Sequence, residues 1–141
     1  MTTRHRLAVA ILAFGGSLSP YTRAASAPPQ ERPIWTAPST SDVRANPLAA
    51  RPDTEPGGAK LFRERCAQCH RDDGTGTSAG PGLTGRRVQS QTDGALFWKI
   101  TSGNTRSGMP TFSGLPELQR WQLVLHLRAL GSSHSAPPTR P

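Results

Sequence analysis

The sequence has few cysteines, and this scarcity limits the metal chemistry that the chain can support. Only two cysteines occur among 141 residues, Cys66 and Cys69. A four-ligand zinc site built on this pair would need two further ligands. Besides His70, which directly follows Cys69, the chain has three histidines. They are scattered along the chain and form no second pair of ligands: His5, His126 and His134. The composition therefore argues against a structural zinc site.

Apolar residues are also scarce. They make up 34% of the chain, whereas glycine and proline number 14 each. A domain of this size buries a modest fraction of its surface, so it gains from a cofactor that forms part of its core. Long hydrophobic runs are lacking as well. The most apolar run, residues 7–14, is too short to cross a bilayer as a helix, and we therefore expect no transmembrane segment in the mature chain.

Residues 1–24 have the pattern of a secretory signal peptide. A basic start precedes the apolar run and small residues follow it, which predicts cleavage near Ala24. Cleavage after Ala27 is the alternative, but it would leave Pro28 directly after the cut. An uncleaved membrane anchor is another alternative, whereas the lack of a nearby cysteine argues against a lipoprotein anchor. We therefore expect an exported, periplasmic protein.

Both cysteines belong to one short motif, Cys66-Ala67-Gln68-Cys69-His70, which has the spacing C-x-x-C-H. Such a pair can be a disulfide or a redox dithiol, but a thioredoxin-like dithiol belongs in a βαβ context, which is lacking here. The full pentapeptide is the attachment sequence of a c-type haem. The two thiols add to the haem vinyl groups, and the histidine then binds the iron. We predict one covalent haem, attached through Cys66 and Cys69, with His70 as the proximal ligand.

Methionine is nearly absent. Apart from the initiator, the only one is Met109, which lies in the turn between Gly108 and Pro110. A lone methionine is often core filler or a surface residue. This one follows His70 by 39 residues, which is enough chain to reach the other face of a haem. Because a thioether is a soft ligand that raises the reduction potential, we predict that Met109 is the distal iron ligand.

The arrangement of proline, glycine and apolar residues predicts four regions and three main helices. The prolines of residues 25–56 disfavour a long helix, so that region is a linker or an extended strap. Residues 57–66 form the first helix, residues 71–91 a glycine-rich loop, residues 93–102 a helix capped by Thr92, and residues 116–130 the last helix, with Pro116 in its first turn. The predicted regions are a signal peptide (1–24), a proline-rich N-terminal extension or strap (25–56), a haem domain (57–131) and a disordered tail (132–141).

Two side chains in these helices are assigned by their position. Trp98 is either part of the core or a donor of its indole N–H to a haem propionate. In the last helix Leu118, Trp121 and Leu125 follow a helical spacing, so His126 on the opposite row is expected to face solvent.

The sequence from Trp35 to Leu130 resembles the class I c-type cytochromes, in particular bacterial single-haem domains such as those in the haem subunits of some terminal oxidases and quinoprotein dehydrogenases. The matching segments, besides the haem motif, are Asn46-Pro47-Leu48-Ala49, Gly58-x-x-Leu61-Phe62, Asp73-Gly74-x-Gly76, Thr92-Asp93-Gly94-x-Leu96-Phe97-Trp98, Gly108-Met109-Pro110-x-Phe112 and Trp121-Gln122-Leu123-Val124. The haem motif and the Gly-Met-Pro turn are the specific features.

The resemblance implies an all-α fold of about three to four helices wrapped round one haem. It implies that the first and last helices cross at Gly58/Phe62 and Trp121/Leu125. It also implies that Pro81 is the loop proline whose carbonyl accepts the other N–H of the proximal histidine. The chain departs from the family at His126, where relatives commonly have tyrosine, and the loop before Thr92 is short.

These features predict a periplasmic electron-transfer protein rather than an enzyme, with one His/Met-ligated haem. The alternative is a haem c subunit of a periplasmic dehydrogenase or oxidase complex. A haem enzyme or gas sensor would need an open iron position, and the predicted Met109 ligand argues against one.

Charge points to the kind of partner. The net charge is +8, and it falls to +5 when three arginines leave with the signal peptide. Nucleic acid is excluded as a partner because basic-aromatic clusters are lacking. Redox partner proteins with an acidic docking surface fit better, with Arg86, Arg87 and Arg106 as contacts, although an anionic membrane surface or a plain solubility charge would also account for the balance.

Overall fold

A computed structural model describes residues 35–135, and within them the secondary structure is helical without strands. The α-helices are α1 (Ser39–Asp42), α2 (Glu55–Arg65), α3 (Ala67–His70), α4 (Arg86–Gln89), α5 (Asp93–Ser102) and α6 (Glu117–Ser135). Two 3-10 turns, Pro52–Thr54 and Thr105–Ser107, precede α2 and follow α5. The predicted all-α class is confirmed, and α2, α5 and α6 are its long helices. The predicted signal peptide lies outside the described residues.

Helix α2 has residues at both ends that stabilise a helix there. Pro56 lies in the first turn, where its missing N–H costs nothing, and Glu55 lies at the positive end of the helix dipole. Arg63 and Arg65 lie at the negative end. The helix therefore begins two residues before the predicted start at residue 57, and the predicted helix itself is confirmed.

The first and last long helices cross with their backbones in contact. Gly58 and Phe62 are the buried residues of α2. A Cβ atom at Gly58 would collide with the backbone carbonyl of Gln122 in α6, so only glycine permits this approach. The crossing that the resemblance implied is therefore present. It places the C-terminal end of α2, and the haem motif that follows, against the core.

Helix α5 occupies the predicted residues. The hydroxyl oxygen of Thr92 accepts a hydrogen bond from the backbone N–H of Ala95 at 3.1 Å, as expected of an N-cap. Its apolar face meets α6 in the core, where the rings of Phe97 and Trp121 stack with centroids 4.0 Å apart. The buried cluster consists of Phe62, Leu96, Phe97, Ile100, Trp121, Leu123, Val124 and Leu127.

Helix α6 buries only part of the stripe that its periodicity predicted, since Trp121 lies in the core but Leu118 does not. Leu118 is 58% exposed, because the first turn of α6 extends beyond the core, whereas Val124 is fully buried. The prediction that His126 faces solvent is wrong. This residue is only 9% exposed, because Glu55 of α2 supplies a carboxylate 2.6 Å from its Nδ1 and the ring of Phe62 lies 4.9 Å away.

The last helix is also longer than predicted. It continues through Gly131 to Ser135, so the first four residues of the predicted disordered tail are helical. Two contacts explain the extension. Gly131 is buried against the side chain of Gln89, and the hydroxyl of Ser135 donates to the carbonyl of Gly131 at 2.9 Å. Residues 136–141 lie outside the described part of the chain.

Two further segments are more ordered than the sequence suggested. The predicted loop contains helix α4, which is held to α6 because the Gln89 amide donates to the carbonyls of Leu83 at 2.8 Å and Leu127 at 3.0 Å. The described part of the N-terminal extension contains α1 rather than a fully extended strap. It packs on the haem domain, since the Asn46 amide donates to the carbonyl of Trp121 at 3.3 Å.

Candidate haem site

The motif forms a separate short helix, α3, directly after α2. The N–H of Cys66 donates to the carbonyl of Phe62 at 2.8 Å, which ties the motif to the core residue one turn earlier. The N–H groups of Cys69 and His70 both donate to the carbonyl of Cys66, at 3.1 and 3.0 Å. One turn of backbone therefore holds both thiols and the imidazole together, as covalent attachment at adjacent positions requires.

The two cysteines are not joined in a disulfide, and both are partly exposed. Cys66 and Ala67 pack against the buried cluster while remaining partly exposed. Burial raises the pKa of the Cys66 thiol to about 11, with a smaller contribution from the charge of Cys69. An apolar, half-buried thiol is suited to a thioether, which is itself uncharged, so the surroundings of Cys66 fit attachment to a hydrophobic cofactor.

The tautomer of His70 follows from its hydrogen bond. Its Nδ1 lies 2.8 Å from the carbonyl oxygen of Pro81, and a carbonyl can only accept. Nδ1 therefore carries the hydrogen, and Nε2 keeps the lone pair that a metal requires. The contact that the resemblance implied for Pro81 is present in the structure. Such a bond orients an imidazole ligand and raises its basicity.

The loop after α3 returns to the motif through its glycines. Arg71 has φ of +60°, which reverses the chain directly after His70. Gly76 follows with φ of +90°, and its N–H donates to the His70 carbonyl at 2.9 Å. A Cβ atom at Gly76 would lie 2.7 Å from the carbonyl carbon of Pro81, so a side chain there would displace the carbonyl that His70 needs.

Two more residues contact the motif, of which Thr77 had no signal in the sequence and Gly80 was marked only as one glycine of the glycine-rich loop. The hydroxyl of Thr77 donates to the carbonyl of Cys69 at 2.7 Å, and it accepts from the N–H of Ala79 at 3.0 Å. Gly80 is buried, and a Cβ atom there would lie 3.0 Å from that of Cys69. No local pattern marks the Thr77 contact, because its acceptor, the Cys69 carbonyl, lies in α3, outside the glycine-rich loop.

Met109 lies in a loop that is fixed by its backbone. It forms an isolated antiparallel bridge with Asn104, with hydrogen bonds of 2.9 and 3.1 Å in the two directions. Gly108 before it has φ of +86°, which accounts for the Gly-Met turn. The side chain is partly exposed rather than part of the buried cluster. Within residues 35–135, no hydrogen bond joins this loop to α3, and Met109 as the distal ligand stays a prediction.

Trp98 does not belong to the core. It is half-buried on α5, and its ring lies 6.4 Å from that of Trp35, tilted by 44°. Among the described residues its indole N–H has no hydrogen-bond partner, so the role of donor to a propionate remains a prediction. Trp35 belongs to the N-terminal extension, and its contact with Trp98 agrees with the strap alternative rather than with a plain linker.

The sequence that forms this site matches the model of a known protein family. The model of the family "Cytochrome C oxidase, cbb3-type, subunit III" matches residues 53–127, which is more than half of the chain. The chain belongs to this family. Comparison with curated proteins finds no match. The match begins just before α2 and ends within α6, so it covers the haem motif, the Pro81 loop, α5 and the Met109 turn.

Family membership makes this a class I c-type cytochrome domain that binds haem and transfers electrons. Its cofactor is a covalent c-type haem, and the attaching thiols are those of Cys66 and Cys69. The residues fit the group, since two thiols and one imidazole with a free Nε2 lie on a single turn at the core boundary. Within residues 35–135 no helix has the length and apolar character needed to cross a membrane.

Proposed function

We propose that the protein is a periplasmic, single-haem electron-transfer protein in which His70 and Met109 are the two axial ligands of the iron. The observation that carries this proposal is the hydrogen bond from His70 Nδ1 to the carbonyl of Pro81, because it leaves Nε2 as the only ring atom able to bind a metal. When bound, the haem supplies an iron centre that accepts and releases one electron. No substrate bond is made or broken, so the protein is a carrier rather than an enzyme.

Met109 is proposed as the second ligand on three grounds. It is the only methionine besides the initiator, its loop is held rigidly by the bridge to Asn104, and its side chain is partly exposed. A buried methionine would instead be core filler. His126, the other candidate, is already engaged by Glu55 at 2.6 Å between α2 and α6.

The substitutions Met109→Leu and Met109→Ala test the ligand. Both remove the thioether, whereas Leu keeps most of the volume, so a shared effect is due to the lost sulfur. Each should abolish the far-red absorbance band of an iron–thioether bond in the oxidised protein, lower the reduction potential and permit carbon monoxide binding. An unchanged spectrum and potential in both variants would assign the ligand elsewhere.

A second candidate function is that of a haem c subunit in a periplasmic dehydrogenase or oxidase complex. The observation in its favour is the matched family, whose description names an oxidase subunit. Purification of the native protein under mild conditions separates the two. A carrier should elute alone at the size of one chain, whereas a subunit should remain with an oxidoreductase.

The periplasmic location rests on the N-terminal pattern. Fractionation of the native host should place the protein in the periplasm, and mass spectrometry should show a mature chain that lacks residues 1–24 and carries one haem. Recovery of the full-length chain in membranes would instead identify the N-terminus as an anchor.

Surface charge supports redox partners with an acidic docking surface. Arg86 and Arg87 are exposed on α4, and Lys99 of α5 lies near them. Arg87 and Lys99 line the same surface depression, so the guanidinium of Arg87 adds to the effect of burial in lowering the pKa of Lys99. Attraction from an acidic partner would offset their repulsion.

A further inference from the structure

We infer that Thr77 is a positioning residue for the proximal ligand, because its hydroxyl joins the haem-attachment helix to the turn that presents the Pro81 carbonyl to His70. The inference rests on the proposed role of His70 as an iron ligand. It assigns a function to a side chain that no sequence motif marks.

The hydroxyl of Thr77 is used in both directions. It donates to the carbonyl of Cys69 at 2.7 Å, and it accepts from the N–H of Ala79 at 3.0 Å. The backbone N–H of Thr77 also donates to the carbonyl of Gly80 at 2.8 Å, which closes a tight turn from residue 77 to residue 80. One side chain thus connects the residue before His70 with the turn that leads into Pro81.

Few hydrogen bonds among the described residues fix the position of the Pro81 carbonyl apart from those of the 77–80 turn. Proline has no N–H, so Pro81 makes no backbone donor bond of its own. Its place is set by the turn before it and by the bond from the Leu83 N–H to the Gly74 carbonyl at 2.7 Å after it. Gly80 lies so close to Cys69 that the turn cannot be filled by a larger residue, with only 3.0 Å between a Cβ atom there and that of Cys69. Without the Thr77 hydroxyl, this close contact would have no hydrogen bond from a side chain to hold it.

The consequence concerns the basicity of His70. A strong bond from Nδ1–H to a carbonyl raises the basicity of an imidazole ligand and so favours the oxidised metal. If the turn loosens, that bond lengthens and the imidazole becomes a weaker donor. The oxidised form is then less favoured, so the reduction potential rises. Thr77 would therefore act on the ligand through Pro81 and His70.

The test compares Thr77→Val with Thr77→Ser and with Thr54→Val in the haem-loaded protein. Valine keeps the shape and removes the hydroxyl, whereas serine retains it. Thr54 is the matched control, because its hydroxyl also donates to a carbonyl at 2.7 Å, that of Arg51, away from the motif. The two readouts are the reduction potential and the rate at which the His70 Nδ1 hydrogen exchanges with water, measured by NMR.

We expect Thr77→Val to raise the potential and to speed exchange of the His70 hydrogen severalfold, while Thr77→Ser and Thr54→Val resemble the unmodified protein. A loss of stability in Thr77→Val with neither readout changed would overturn the inference, because a merely structural threonine would behave in that way. A Thr77→Ser variant that behaves like Thr77→Val would overturn it too.

The unmodified protein gives an independent check if Thr77→Val does not take up haem. In the reduced protein, the hydrogen of the Thr77 hydroxyl should exchange with water slowly enough to be observed by NMR. Its signal should show that it lies close to Cys69. A freely exchanging hydroxyl would contradict the inference. The proposed function has a separate test. It fails if the His70 ring hydrogens of the unmodified protein lack the large NMR chemical shifts of a haem ligand.

Discussion

At the scale of single residues, the site depends on small polar side chains that fix the loop between Gly74 and Pro81. Asp73 is one of them. Its carboxylate accepts from the N–H of Thr75 at 2.9 Å and from the Thr75 hydroxyl at 2.7 Å. These bonds hold the start of the loop in a turn, directly before the glycine that returns the chain to His70. A charged acceptor strengthens both bonds.

The Asp73 turn has a measurable effect on titration. The bonds from Thr75 hold the pKa of Asp73 below its usual value. Because the folded state favours the carboxylate, the turn is stabilised above the usual pKa of about 3.9, and that stabilisation is lost as the pH falls through the lower folded value. NMR titration should show this depression, and Thr75→Val should reduce it while Thr75→Ser retains it. Equal Asp73 titration in all three proteins would contradict the assignment.

Some individual residues of the site can be predicted from the sequence, and others cannot. Cys66, Cys69 and His70 are recognisable because their geometry is local, with all three on one turn of backbone. Thr77 was missed, because its acceptor, the Cys69 carbonyl, lies on another segment. His126 was placed on the wrong side for a similar reason, since the carboxylate that buries it comes from the start of α2. A residue whose environment is supplied by distant chain cannot be read from its own helix.

At the scale of elements, the fold depends on the crossing of α2 and α6. The adjacent glycines of α2 have different surroundings at this crossing. Gly58 faces the backbone of Gln122, whereas Gly57 faces only the end of the Gln122 side chain, 2.9 Å from a Cβ atom placed there. Backbone cannot move without separating the helices, but a flexible side chain can rotate away.

This difference predicts opposite effects of the same substitution. Gly58→Ala should lower the free energy of unfolding by about 2 kcal/mol or more, because the new methyl group forces the helices apart. Gly57→Ala should leave it unchanged or raise it by up to about 1 kcal/mol, because alanine is the better helix former. Denaturant unfolding of the two haem-loaded variants measures the difference. Similar values for both would show that the crossing is loosely packed.

Elements differ in how far sequence predicts them. The boundaries of α5 follow from its own residues, namely the Thr92 cap and Gly103, whose φ of +63° ends the helix. Helix α4 has no such signals and exists because Gln89 is held by α6. Helix α6 continues past a glycine for the reciprocal reason, since Gly131 packs on Gln89. Tertiary contacts override local propensity at both places.

At the scale of the whole molecule, the positive charge has two uses. Several cations serve the fold itself. Arg128 pairs with Asp93 at 2.7 Å and donates to the carbonyls of Gln89 and Gln91, which joins α6 to the segments around α5. Arg120 donates to the Thr101 hydroxyl at 2.7 Å. These arginines are occupied internally and contribute less to a docking surface than their number suggests.

The remaining cations are free to attract a partner. Within residues 35–135, seven exposed cations have no ion pair: Lys60, Arg63, Arg65, Arg71, Arg86, Arg87 and Arg106. Long-range attraction raises the rate of encounter more than it deepens affinity. A carrier that binds its partner only briefly therefore gains from such charges, and the gain disappears when salt screens them.

We predict that electron transfer to or from the physiological partner slows as ionic strength rises, because screening shortens the range of attraction to about 10 Å at 0.1 M. The double substitution Arg86→Glu with Arg87→Glu should slow the bimolecular rate and weaken its dependence on salt, while the reduction potential changes little. Stopped-flow kinetics at several ionic strengths measures both effects.

The matched control is Lys60→Glu with Arg63→Glu, which makes the same change in net charge on the exposed side of α2. If the α4 pair forms the docking surface, the control should slow the rate less than Arg86→Glu with Arg87→Glu does. Equal slowing by both pairs would mean that net charge alone attracts the partner, without a local surface. A rate that salt does not alter would exclude electrostatic attraction altogether, and the free cations of this protein would then serve its solubility.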